Sequence, residues 1–238
     1  MPIEEIEVDS VPKYLGLVND LMFVRSVEQS AWIFRGVSDK THELEVSLRW
    51  VRRDLAGEPT TASAYSSVKE AEIFYRFKRA ALAVTNLSDI PDLDWMCLAR
   101  HHTLPCRVLD WSESPLVAAY FANADMGAKA HSAVYATRMP SLVSEQEARK
   151  PFDITSVKTY QPIPISPRIS AQSAVVTVHP EPMKKFDPDV LIRFVFPPKL
   201  QGGIKMQLNK YGIHHQSMFP DLDGLATNLR WLYKWDLL

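Results

Sequence analysis

LDWSESPLVAAYFA, residues 109–122, carries the strongest local signals in the chain. An apolar run at residues 108–109 indicates a short strand. Ser114 before Pro115 is typical of a helix start, because the serine hydroxyl accepts hydrogen bonds from free N–H groups and proline fits the first helical position. The helix predicted over residues 115–124 is apolar on nearly every side, so we expect it to be buried.

SAWIFRGVSDK, residues 30–40, predicts a second buried strand. Its apolar and aromatic run at residues 31–34 is followed by Arg35 and Gly36, where we expect the strand to emerge from the core. An arginine that leaves a core normally meets an anion. Two interpretations stay open: Arg35 clamps an anionic ligand, or it pairs with a buried acid such as Asp110.

Hydrophobic periodicity predicts the other elements. We expect helices over residues 11–30, 62–86, 92–102, 200–211 and 222–235, and strands over residues 132–137, 174–178 and 190–196. Asp221 is expected to cap the last helix. The segment 138–170 has no clear period and is predicted to be an inserted loop region. Because helices and strands do not alternate regularly, the fold class is α+β, with residues 1–30 as an N-terminal helical extension and 31–238 as the main domain.

Composition excludes several classes of protein. The 238 residues are 46% hydrophobic and 23% charged, as in ordinary globular proteins. The net charge of -1 gives no general attraction for nucleic acid or acidic membranes. No 18-residue apolar run occurs and the acidic N-terminus is unlike a secretory signal, so we expect a cytoplasmic protein with no membrane partner. Neither GxGxxG nor GxxxxGK[ST] occurs, which argues against a Rossmann or P-loop nucleotide site.

The cysteines and histidines do not form a metal-binding pattern. Cys97 and Cys106 lack the spacing of a zinc knuckle and are expected to be buried thiols. His101 and His102 are adjacent, so their side chains point in different directions, and no second pair stands at helical spacing. We therefore expect no metal, and we consider His101 as a base or hydrogen-bond donor beside Asp110.

Three stretches together resemble the FRG domain, a family named for its Phe-Arg-Gly motif. They are WIFRGV at 32–37, LARHHTLPCRVLDWSESPLVAAYFA at 98–122 and PRISAQSAVVTV at 167–178, in the order that the family has. The resemblance covers about residues 30–225 and implies that the main domain is an FRG domain. It also implies a bacterial toxin or antiphage defence effector, restrained by an antitoxin or a regulatory subunit.

The same stretches are more distantly similar to the arginine-type ADP-ribosyltransferases, whose motifs supply an arginine, a hydroxyl residue and a glutamate. This resemblance implies an ADP-ribosyltransferase-like split β-sheet core with flanking helices. It also implies NAD as the substrate and a macromolecule, RNA or protein, as the acceptor of ADP-ribose. The stretch that corresponds to the glutamate motif offers Gln172.

The resemblance implies a set of cofactor-binding residues, namely Arg35, Gly36, Trp111, Ser112 and Tyr120. Arg35 would clamp the pyrophosphate by charge-assisted hydrogen bonds. Ser112 would orient the ribose, and Tyr120 or Trp111 would stack on nicotinamide. Purely structural roles stay open, because Ser112 competes with Ser114 to cap the helix and because aromatic residues are commonly part of the core.

The implied catalytic residues are Gln172, Asp110 and His101. Cleavage of the bond between nicotinamide and ribose develops positive charge on the sugar, which a nearby carboxylate stabilises. Asp110 is the carboxylate nearest to the predicted pocket, whereas Gln172 carries no charge and can only donate or accept hydrogen bonds. Two other functions stay open: a non-catalytic module that binds a nucleotide or a phosphate-bearing partner through Arg35, and a scaffold whose exposed helices dock another subunit.

Overall fold

The computed structural model describes residues 3–24, 31–51, 65–125 and 129–237. Within these ranges seven strands form one sheet. The strands are β1 (Glu4–Glu7), β2 (Trp32–Val37), β3 (Val108–Ser112), β4 (Ser132–Arg138), β5 (Lys158–Tyr160), β6 (Ala174–Val178) and β7 (Leu191–Phe196). Their order across the sheet is β1-β7-β4-β2-β3-β6-β5, and every neighbouring pair is antiparallel except β1 and β7. The mixture of helices and strands confirms the α+β class.

The described residues also form ten helices. They are α1 (Val11–Val24), α2 (Leu48–Val51), α3 (Ser67–Ala81), α4 (Asp92–His101), α5 (Pro115–Ala122), α6 (Glu145–Ala148), α7 (Pro167–Ala171), α8 (Pro198–Lys210), α9 (His215–Met218) and α10 (Leu222–Lys234). Among the described residues no helix combines the length and the apolar composition needed to span a membrane.

The sheet divides between β2 and β3. These strands share one register pair, Phe34 with Ser112. Beyond Phe34, β2 continues along β4 through Val37, whereas β3 follows β6 along its whole length. The two strands therefore separate directly after Phe34, and the gap between them begins at Arg35.

The local signals around residues 109–122 are confirmed. Ser114 accepts a hydrogen bond from the N–H of Val117 at 3.4 Å and caps α5, with Pro115 in its first turn. The helix is buried against the sheet, as its apolar composition predicts, and the Tyr14 hydroxyl of α1 donates to the main-chain oxygen of Pro115 at 3.1 Å. Asp221 likewise caps α10 by accepting from the N–H of Gly224 at 2.7 Å.

A second core joins α3 and α4 to β3. An ion pair lies inside it: Arg107, the residue before β3, donates to Glu70 of α3 at 2.7 Å, and both side chains are buried. The Tyr65 hydroxyl also contacts both groups, and Phe152 stacks 4.6 Å from the guanidinium carbon. Because each polar group has partners, the burial of this charge is compensated.

The prediction of a loop over residues 138–170 is wrong in part. This segment contains α6, a 3-10 turn at Pro151–Asp153, β5 and the start of α7. The three residues of β5 pair with β6 at the sheet edge, and a strand this short shows too few alternations for its period to be recognised. The predicted helix parts at 25–30 and 62–64 lie outside the described residues.

Residues on both sides of position 30 share one sheet and one core. Strand β1 pairs in parallel with β7, and α1 places Val11, Tyr14 and Val18 in the main hydrophobic cluster. Tyr14 meets Phe194 edge to face, with ring centroids 5.2 Å apart. The segment predicted as an N-terminal helical extension therefore contributes a strand as well as a helix.

Candidate functional site

A cleft of about 510 Å³ lies where the sheet divides, a volume within the usual range for small-molecule sites. Strands β2, β3 and β6 line it together with α4, α5 and α7. Seven of the eight proposed cofactor-binding and catalytic residues lie along it: Arg35, Gly36, His101, Asp110, Trp111, Ser112 and Gln172. Tyr120 does not.

Arg35 bridges the two parts of the sheet. Its Nη1 donates to the main-chain oxygen of Asp110 at 2.6 Å and lies 4.0 Å from that residue's Oδ2. Its Nε is buried and has no hydrogen-bond partner. Burial lowers the pKa of Arg35 and the Asp110 carboxylate opposes that effect. The structure shows the contact with Asp110. Because Arg35 also lines an open cleft, the clamping of an anionic ligand stays a prediction.

Gly36 has a packing role that the sequence did not reveal. A Cβ atom at this position would lie 2.0 Å from the main-chain oxygen of Ala118 and 2.6 Å from the main-chain nitrogen of Ala122. Both atoms belong to α5, so any larger residue would force the helix away from β2. The glycine beside Arg35 is therefore required by the close approach of helix and strand.

Asp110 is held by a second arginine. Arg100, near the end of α4, donates to Asp110 Oδ2 from Nε at 3.0 Å and from Nη2 at 2.9 Å. The carboxylate is 47% exposed, so its other oxygen can still be reached from the cleft. The sequence interpretation did not include Arg100 in the site, although it directly precedes His101.

Arg168 of α7 also lines the cleft. Its guanidinium donates to Asp221 Oδ2 at 2.6 Å and lies 5.0 Å from the ring centre of Phe219. Its Nη1 is 3.4 Å from Nε2 of His101. Burial, followed by the positive charge of Arg168, lowers the pKa of His101, so this ring is neutral near pH 7. Because arginine only donates, the contact favours the His101 tautomer that carries its proton on Nδ1.

The polar side chains of Ser112 and Gln172 are both held by hydrogen bonds to main-chain atoms, so neither points freely into the cleft. The buried Ser112 hydroxyl donates to the main-chain oxygen of Gln172 at 2.7 Å and accepts from the N–H of Ser114 at 3.0 Å. The side-chain amide of Gln172 donates to the main-chain oxygen of Met218 at 3.0 Å. Gln172 ends α7 and precedes β6, so it does not lie on a strand.

Trp111 and Tyr120 cannot stack on a ligand in this cleft, which corrects their assignment. The Trp111 side chain is 3% exposed, and its indole N–H donates to Thr177 Oγ1 at 2.9 Å in the core. Tyr120 is buried on another side of α5, where its hydroxyl lies 2.7 Å from His215 Nδ1. The aromatic surface of the cleft comes instead from Phe121 and Phe219, whose ring centroids are 6.2 Å apart.

The charges in the lining favour an anionic ligand. The described lining residues include three arginines, Arg35, Arg100 and Arg168, and one carboxylate, Asp110. Arg168 pairs with Asp221, which lies outside the lining. Arginines that converge on a cleft recognise phosphate and carboxylate groups through paired N–H donors. Among the described residues no group of three or more His, Cys, Asp or Glu side chains is placed to hold a metal ion.

Residues 30–131 match the family model of the FRG domain. This range includes Arg35, Gly36, Arg100 and Asp110, whereas Arg168 lies beyond it. No curated protein and no solved structure matches the chain. The chain therefore contains an FRG domain at residues 30–131, and the opening of the sheet at Arg35 lies within that domain.

Proposed function

We propose that the cleft binds the diphosphate of a nucleotide, with NAD as the ligand. The observation that carries this proposal is the position of the Arg35 guanidinium, which lines the opened gap between β2 and β3 with its side chain 21% exposed. A phosphate oxygen in the cleft would accept from the guanidinium N–H groups that do not donate to Asp110. Arg100 and Arg168 lie in the same cleft, and each is paired with an aspartate, so these three arginines outnumber Asp110 and Asp221 by one positive charge. Charge-assisted hydrogen bonds to phosphate are among the strongest that side chains form.

The reaction that fits such a ligand is transfer of ADP-ribose to a macromolecule, RNA or protein. The bond between ribose C1′ and the nicotinamide nitrogen breaks, and both of its electrons leave with nicotinamide. An acceptor nucleophile then bonds to C1′ and loses its proton. Asp110 is the carboxylate in the described lining that would stabilise the positive charge on the sugar. His101 would take the acceptor's proton at Nε2, after that nitrogen has given up its contact with Arg168.

A second function, binding without catalysis, is favoured by one observation. Asp110 Oδ2 accepts both Arg100 donors and lies 4.0 Å from Arg35, so much of its negative charge is already compensated. Gln172 supplies no charge in its place. In that case the domain would hold a phosphate-bearing nucleotide and act through the complex it forms.

The test measures binding and nicotinamide release separately. NAD binding is followed by calorimetry, and nicotinamide is quantified by chromatography with and without total RNA or protein as acceptor. Arg35→Met removes the charge and keeps the apolar stem. We expect it to lose about 3 kcal/mol of NAD binding free energy, which corresponds to an affinity on the order of 100-fold weaker. Arg76→Met is the matched control, because Arg76 forms an exposed pair with Glu72 on α3.

Asp110→Asn distinguishes the two functions. If the domain is an enzyme, this variant binds NAD and releases nicotinamide at a rate at least about 100-fold lower. If wild-type protein binds NAD and releases no nicotinamide with either acceptor, the binding function replaces the transferase. A wild-type protein that binds neither NAD nor ADP-ribose would refute both.

A further inference from the structure

The last helix, α10, carries an exposed apolar stripe that is separate from the cleft. Its members are spaced by four, three and four residues: Leu222, Ala226, Leu229 and Tyr233. Leu222 is 82% exposed, Leu229 is 46% exposed and Tyr233 is 79% exposed. This is the spacing of the core positions of a coiled coil, which fall on one side of a helix and pack against a second helix.

The opposite side of α10 is anchored to the rest of the domain. Gly224 and Asn228 are buried, and a Cβ atom on Gly224 would lie 1.7 Å from the main-chain oxygen of Phe219. Asp221 caps the first turn. The helix is therefore already formed and fixed, so a partner that covers the stripe does not have to supply the free energy of ordering it.

Charged side chains border the stripe on one side. Asp223 and Arg230 occupy equivalent flanking positions, seven residues apart, and both are exposed. Neither side chain forms a hydrogen bond or an ion pair with another of the described residues. The other border of the stripe consists of Leu225 and Leu232, which are half-buried.

We propose that α10 pairs with α10 of a second copy of this chain, in antiparallel orientation across a two-fold axis. In an antiparallel pair of helices, equivalent flanking positions face each other. Asp223 would then face the partner's Arg230, and the two-fold axis repeats this ion pair on the same interface. In a parallel pair each charged border would face the partner's leucine border instead. The opposite signs of the two flanking charges thus favour a second copy in the antiparallel arrangement.

The proposed interface is small, so we expect the dimer to be weak. Four core positions over about three helical turns per copy bury less surface than a standard stable interface, so we expect a dimer that dissociates at concentrations on the order of 10 µM. Sedimentation velocity over a concentration series measures this directly. Leu229→Glu places a charge at the centre of the stripe and is expected to raise the dissociation constant at least about 100-fold.

Val84→Glu is the matched control, since Val84 is an apolar side chain that is 84% exposed and lies outside α10. It is expected to leave the dimer unchanged. Wild-type protein that stays monomeric up to about 500 µM would overturn the proposal, as would a dimer that Leu229→Glu does not weaken. Because both sites are exposed, a thermal melt checks that each variant is folded.

Charge variants test the orientation and the identity of the partner. Asp223→Arg gives a border with two positive charges, and Arg230→Asp gives one with two negative charges. Each variant alone is expected to dimerise more weakly than wild type, and an equimolar mixture of the two is expected to form a heterodimer of about wild-type strength. A mixture that associates no better than the separate variants would overturn the antiparallel pairing.

Discussion

Gly36→Ala tests whether the glycine of the FRG motif serves the packing of α5 on β2. The added methyl group would lie 2.0 Å and 2.6 Å from two main-chain atoms of α5, and ordinary contacts are about 3.4 Å or longer. Main-chain atoms cannot rotate away, so the helix must shift by an ångström or more from a core that contains Val117 and Ala118. Overpacking costs about 1–3 kcal/mol, and we expect a value near or above 3 kcal/mol.

For a chain of this size that loss lowers the melting temperature by roughly 6–12 °C. The assay is thermal unfolding followed by circular dichroism, with urea unfolding as a second measurement. Gly203→Ala is the matched control, because it lies within α8 with nothing within 4 Å of the new Cβ. It is expected to stabilise the protein by about 0.5–1 kcal/mol. A Gly36→Ala melting temperature within about 2 °C of wild type would refute the packing role.

Two further predictions concern buried charge and pH. Glu70→Ala leaves Arg107 buried without its carboxylate and is expected to lower the free energy of unfolding by about 3–5 kcal/mol. Glu72→Ala breaks an exposed pair and is expected to cost under about 1 kcal/mol. Equal losses for the two variants in urea unfolding would contradict this. Burial, and then the charge of Arg35, lowers the pKa of His179 to about 4. Since the unfolded chain takes up a proton near pH 6.5 and the folded one does not, stability falls as pH drops from 6.5 to 4, by roughly 3 kcal/mol in total. His179→Gln is expected to remove that part of the pH dependence, and an unchanged slope would show that His179 does not cause it.

Local signals predicted the elements well because they act within a few residues. Ser114 and Pro115 start α5 through the free N–H groups of one turn, and this needs no tertiary information. The side-chain alternation of a strand is a further local signal, and β3 follows it. It places Asp110 and Trp111 on opposite faces, so a single cleft receives the side chain of only one of them.

The remaining parts of the site depend on distant contacts. In α5, Ala118 and Ala122 are four residues apart and face β2, which directs Tyr120 to another side of the helix. The orientation of Tyr120 therefore depends on which face of α5 packs against Gly36, and this is a contact between distant parts of the chain. Arg168 reaches the cleft through α7, which follows the irregular segment that no sequence period described. Its contact with His101 joins residues 67 positions apart in the chain.

A structure of the protein bound to NAD or ADP-ribose tests the central claim most directly. We expect the diphosphate in the cleft between β2 and β3, with its oxygens about 2.7–2.9 Å from the Arg35 guanidinium and near Arg100 or Arg168. A ligand bound elsewhere, with Arg35 still hydrogen-bonded to the main chain of Asp110 alone, would contradict the claim.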